Sequence, residues 1–85
     1  MNEFSFQIIT PNGIFFEEKI EELYLKTGRG FVAILANHVD YITNTKKSIG
    51  FIKKNNVKKY FLFYDGILNI YKKNVKLIVD NVIPK

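Results

Sequence analysis

Turn signals recur about every ten residues along this chain, which leaves room for short strands and little else. Pro11-Asn12-Gly13, the "TGRG" of 27–30, Lys54-Asn55-Asn56, Asp65-Gly66 and Lys72-Lys73-Asn74 mark the breaks. The runs between them are β-branched and aromatic, as in a sandwich or barrel. In "VKKYFLFY" Lys59, Phe61 and Phe63 fall on one side, with Lys58, Tyr60, Leu62 and Tyr64 on the other. "ILNIY" sets Leu68 and Ile70 against Ile67, Asn69 and Tyr71, and "VKLIV" sets Val75, Leu77 and Val79 against Lys76 and Ile78. Asp65-Gly66 predicts a hairpin, because both residues tolerate positive φ. Asn55-Asn56 predicts a second hairpin tip, so the C-terminal half reads as a β-meander.

The N-terminal half carries a conflict. "FSFQIIT" alternates, with Phe4, Phe6 and Ile8 facing inward. In "FEEKIEELYLK", Phe16, Ile20 and Leu23 stand at helical spacing among good helix formers, which slightly favours a helix. Strand alternation also fits, with Ile20, Glu22 and Tyr24 on one side and Glu21, Leu23 and Leu25 on the other.

With 85 residues, the chain makes one domain with little surplus stability, the kind that a partner often completes. A hydrophobic share of 47% excludes a disordered tail. No apolar run approaches the roughly 20 residues of a membrane span. Glu3 stands where a signal peptide would carry positive charge, so a cytoplasmic protein is expected. The absence of cysteine fits, and it removes disulfides, thiolate metal sites and cysteine nucleophiles. Net charge is +5, with six acidic and three basic residues over 1–45, and two acidic and ten basic over 46–85. Such asymmetry marks many nucleic-acid or membrane surfaces. However, 12 of the 13 basic residues are lysine, and asparagine, isoleucine and phenylalanine are abundant. This points to an AT-rich genome, so codon bias accounts for part of the charge.

The stretch "TGRGFVAILANHVDYIT" looks most like a reactive corner, and it lacks the partners for chemistry. Gly28-Arg29-Gly30 opens a G-x-G, but Ala33 replaces the third glycine and no phosphate loop follows. His38, the only histidine, lies two residues from Asp40, without a second nitrogen or sulfur ligand for zinc. Ser5 and Ser48, the only serines, are in no nucleophile-elbow context. Glu17, Glu18, Glu21 and Glu22 are interrupted by lysine and read as a solvated edge. Lys53, Lys54, Lys58, Lys59, Lys72, Lys73 and Lys76 flank turns, where lysine protects strand edges. Interleaved with Tyr60, Phe61 and Phe63, they also admit an alternative: a small basic β-barrel that binds RNA or single-stranded DNA. In that weighing the aromatics are assigned to the core. A small enzyme using His38 as its base is the third class.

Four segments, in order, resemble the N-terminal β-sandwich domain of the epsilon subunit of F-type ATP synthases. They are "FSFQIITPNGIFFEEKIEEL", "GRGFVAILANH" with Gly30, Ile34 and His38, "SIGFIKKNN" with Gly50, and "YFLFYDGILNIYKKNVKLIVDNVI" with Gly66, Asn74, Val75 and Asp80. The resemblance implies an all-β, small flattened sandwich or barrel of about 8–10 short, mostly antiparallel strands, with residues 1–85 as one such domain. It overrules the helix.

It also implies a non-catalytic rotor part that docks on the gamma subunit of a complex with alpha and beta subunits, at the inner face of the cell membrane. No cofactor, metal or nucleic acid is expected. The implied gamma-facing residues are Thr10, His38, Asp40, Tyr41 and Thr43, with Asp40 as an orienter of His38. The implied bottom, ring-facing residues are Arg29, Gly30 and Phe31. Two departures from the family pattern stand out. The family's C-terminal helical hairpin, inhibitory in bacteria, is not in these 85 residues. Phe31 and "ANHVD" replace an acidic residue and P-G-H-A-P, which implies a changed partner in place of a standard c-ring. An F1-like motor of a mycoplasma-type bacterium, some of which are associated with gliding, is the variant this raises.

Overall fold

A computed structural model describes residues 2–85 as ten strands. They are β1 (Phe4–Thr10), β2 (Gly13–Ile20), β3 (Glu22–Thr27), β4 (Gly30–Leu35), β5 (Tyr41–Thr45), β6 (Ser48–Lys54), β7 (Val57–Phe63), β8 (Gly66–Tyr71), β9 (Asn74–Val79) and β10 (Val82–Pro84). One continuous sheet runs β10-β7-β6-β3-β5-β8-β9-β1-β2, and β4 pairs with the other side of β3. The sheet folds over at a single bridge, Thr27 opposite Thr45. One layer therefore holds β5, β8, β9, β1 and β2, and the other holds β4, β3, β6, β7 and β10. β1 with β9 is the parallel pair, and the other pairings are antiparallel.

Period-2 alternation fills the space between the layers as predicted. Phe4, Phe6 and Ile8 from β1, Phe61 and Phe63 from β7, Leu68 and Ile70 from β8, and Val75, Leu77 and Val79 from β9 are all buried. Phe16 of β2 ties the layers together, its ring 6.1 Å from Phe6 and 5.7 Å from Phe61.

The helical spacing around residue 20 has a structural cause. The chain bends at Glu21 as it passes from β2 to β3. Ile20 and Leu23 are both buried, three apart, because they close off different layers. The bend also corrects the predicted alternation: Ile20 shares the core with Leu23 and Leu25, and Glu22 and Tyr24 face outward.

Asp65-Gly66 is not a hairpin. β7 pairs with β6 and β10, and β8 pairs with β5 and β9. The dipeptide is the corner where the chain crosses between layers. Gly66 is required by proximity, since a Cβ there would stand 2.2 Å from the Ile78 carbonyl oxygen. The Asp65 carboxylate anchors the corner by accepting from the Lys47 N–H at 2.7 Å. Asn55-Asn56 is a hairpin tip as predicted, with φ of 53° and 63°.

Candidate functional site: a docking surface

Two turns at one end of the sandwich are built alike. Thr10 Oγ1 donates to the Gly13 carbonyl oxygen at 3.3 Å and accepts from the Asn12 N–H at 3.2 Å. Thr27 Oγ1 donates to the Gly30 carbonyl oxygen at 3.1 Å and accepts from the Arg29 N–H at 3.1 Å. Both turns close on a glycine at positive φ, 110° at Gly13 and 107° at Gly30. Thr10 and the Arg29–Gly30–Phe31 segment thus share this end, because register runs from Thr27 through Thr45 and Gly66 to Val79, beside the Ile9–Ile78 pair.

His38 and Asp40 lie at the opposite end, against the β8–β9 turn. Asp40 does not orient the imidazole; its carboxylate accepts from the Lys72 N–H at 2.6 Å. His38 Nε2 meets the Lys72 carbonyl oxygen at 2.6 Å, and Nδ1 meets the Leu35 carbonyl oxygen. The ring packs perpendicular to that of Phe4, with centroids 5.4 Å apart. The pair therefore grips one turn residue, Lys72, which sits at φ 55°. Both ring nitrogens are thus engaged by backbone carbonyls, a structural role.

Tyr41 and Thr43 lie along β5 on its core-facing side, opposite Ile70 and Leu68. Along the strands, Thr10 and His38 are separated by most of the length of β9, roughly 15–20 Å at about 3.3 Å per residue. The five gamma-facing candidates do not form one cluster.

Two surfaces escaped sequence reasoning. On the outside of the first layer, register lines up Ile67, Ile78, Ile9 and Ile14 across β8, β9, β1 and β2. Ile67, Ile78 and Ile14 are exposed, and Ile42 of β5 adds a further apolar side chain. On the outside of the second layer, Phe31, Tyr24, Phe51 and Tyr60 form an aromatic ladder across β4, β3, β6 and β7. Successive centroids are 5.3, 5.1 and 5.6 Å apart. Lys26 and Lys58 lie over Phe31 and Phe51 at 5.9 and 4.6 Å. Tyr60, assigned to the core with Phe61 and Phe63, is instead 44% exposed on this ladder.

The acidic residues are dispersed. Glu17 accepts from Gln7 Nε2 at 2.7 Å, Glu21 accepts from the Asn55 N–H at 3.1 Å, and Glu18 pairs with Lys59 at 3.7 Å. Among the described residues, no three His, Cys, Asp or Glu side chains converge as a metal site. Among the same residues, no helix is long and apolar enough to cross a membrane.

Residues 3–85 match the family model described as ATP synthase, Delta/Epsilon chain, beta-sandwich domain. The chain belongs to this family. The ATP synthase epsilon chain of Clostridium novyi is 38% identical over 82 residues, covering 91% of this chain and 60% of that one. The epsilon chain of Endomicrobium trichonymphae is 26% identical over 80 residues, covering 94% and 58%. The chain thus spans about 60% of the length of these curated relatives. A chain in the Euglena gracilis mitochondrial ATP synthase (OSCP/F1/c-ring) superposes with a TM-score of 0.90 at 13% identity, over 99% of this chain and 54% of that one. A chain in the Tetrahymena thermophila mitochondrial ATP synthase central stalk/c-ring superposes at 0.79 and 14% identity, over 93% and 64%. These structural likenesses carry the fold. The family match does not support the alternative, a nucleic-acid-binding barrel, for the lysine-rich second half.

Proposed function

We propose that this delta/epsilon-type sandwich is a non-catalytic part of a rotary ATPase central stalk, docking on a gamma-like subunit within an alpha/beta-containing assembly. The observation that carries this reading is the isoleucine row Ile67–Ile78–Ile9–Ile14. A small soluble domain gains nothing by aligning exposed isoleucines over four strands, whereas a docked partner removes that area from water. In this arrangement Tyr41 and Thr43 border the docking layer along β5, and Thr10 lies at its end. His38 and Asp40 serve the surface indirectly by holding the Lys72 turn.

Arg29, Gly30 and Phe31 form the part that meets the ring or whatever replaces it. Phe31 and Arg29 favour a replacement partner, and so the variant F1-like motor, because they remove the negative charge that the family commonly presents there. The protein then sits peripherally at the inner face of the membrane without inserting.

Affinity purification from the native cell tests this. Recovery of gamma-, alpha- and beta-like chains, lost in Ile78→Glu while the fold is retained, is the expected result. Their absence with wild-type protein overturns it. Co-recovery of a c-ring marks a synthase, and recovery of the other chains without one marks a detached motor.

A further inference from the structure

Three strands end the sheet: β2, β10 and β4. Two of them are blunted in the usual ways. β2 carries Glu17, Glu18 and Lys19, and β10 is three residues long and ends in Pro84. β4 reads GFVAIL, with no charge and no proline. Phe31 and Leu35 are 50% and 47% exposed and Ala33 is exposed as well, so none of the described residues covers this edge.

The hydrogen-bonding capacity of the edge can be assigned from its register. Thr27 opposite Gly30 closes a two-residue turn, so Thr27–Gly30, Leu25–Val32 and Leu23–Ile34 are the bonded pairs. Phe31, Ala33 and Leu35 therefore turn their N–H and C=O groups outward. The Leu35 carbonyl oxygen accepts from the His38 N–H at 3.1 Å. The backbone groups of Phe31 and Ala33 remain free, spaced to accept an extended chain and unsuited to a helix. Their side chains begin the Phe31–Tyr24–Phe51–Tyr60 ladder, so an added strand would lengthen an existing stack. Charge is placed unevenly around the edge: Lys26 and Arg29 stand at the Phe31 end, and Glu22 faces Leu35 at the other.

We propose that β4 is a strand-addition site for an extended segment of a partner polypeptide. That segment has apolar side chains at alternate positions over Phe31 and Ala33, and carboxylates at the Lys26–Arg29 end. A second copy of this chain is the poorer occupant, since it brings the same +5 net charge. The site deepens the reading of Arg29 and Phe31 as the part that meets the ring or its replacement. It lies on the opposite layer from the isoleucine row, so failure of the gamma docking tested by Ile78→Glu is distinguishable from failure here.

The test is amide hydrogen exchange on the full chain with two capped peptides of alternating valine and threonine. One peptide has two glutamates at one end, and the other has two lysines there. The glutamate peptide is expected to slow exchange at Phe31 and Ala33 at least tenfold, and the lysine peptide to leave them unchanged. Ala33→Pro removes an outward N–H without touching a bond to β3. It should abolish the protection while the thermal midpoint stays within about 5 °C. Ala33→Glu keeps the backbone intact and should also lose the glutamate peptide, so a folding defect in the proline variant leaves the claim testable. Equal protection by both peptides, no protection at β4, or protection without peptide accompanied by a dimer mass would each overturn the proposal.

Discussion

Gly50 and Tyr24 approach so closely that a Cβ on Gly50 would stand 2.1 Å from the Tyr24 carbonyl oxygen and 2.9 Å from the Phe63 ring. β6 can lie against β3 over Glu22–Tyr24 only because residue 50 has no side chain. Gly50→Ala should destabilise the fold by about 3 kcal/mol, at the upper end of overpacking costs, because one of the atoms in the way is backbone. Urea denaturation of the variant against wild type measures it, and a loss below about 1 kcal/mol would mean that β6 can shift away.

Phe16 is the ring that joins the layers through Phe6 and Phe61. Phe16→Ala should cost about 2–3 kcal/mol, below the loss for a fully buried phenylalanine because Phe16 is partly exposed. Thermal unfolding monitored by tyrosine fluorescence provides the readout.

Asp40 holds the Lys72 N–H in a turn that already has positive φ. Asp40→Ala should lower stability by about 1 kcal/mol. It should also speed amide exchange at Lys72 far more than at Leu77 in the core. Equal acceleration at both positions would show a global effect in place of a local one.

The Glu18–Lys59 pair, by contrast, joins side chains that are 39% and 57% exposed. Water and salt screen it, so Glu18→Gln should change stability by less than about 0.5 kcal/mol. The measurement is the same denaturation curve, repeated at high salt.

The strands were readable where burial is one-sided, as in β7, β8 and β9, because alternation records which face meets the core. Connectivity was not readable at Asp65-Gly66. The same dipeptide serves a tight hairpin or a close crossing between layers, and only the neighbouring Ile78 backbone distinguishes them. The bend at Glu21 hid two strands behind a helical period. The resemblance to the family lies in four segments in order, with Gly30, Ile34, His38, Gly50, Gly66, Asn74, Val75 and Asp80 among the matching residues. The isoleucine row and the aromatic ladder were hidden for a different reason: each draws one residue from each of four strands, and their alignment depends on register that no local pattern specifies.

The parallel pairing of β1 with β9 has a consequence during synthesis. Ser5 lies opposite Asn74, 69 positions along the chain (74 − 5). Long-range pairing of this kind slows folding, since the connecting chain must be ordered before the contact forms. β1 and β2 can make their hairpin as soon as they leave the ribosome, but the isoleucine row stays split until β9 arrives to carry Ile78 between Ile67 and Ile9. A chain made only as far as β8 therefore lacks a complete isoleucine row, and that face forms only once β9 has been made.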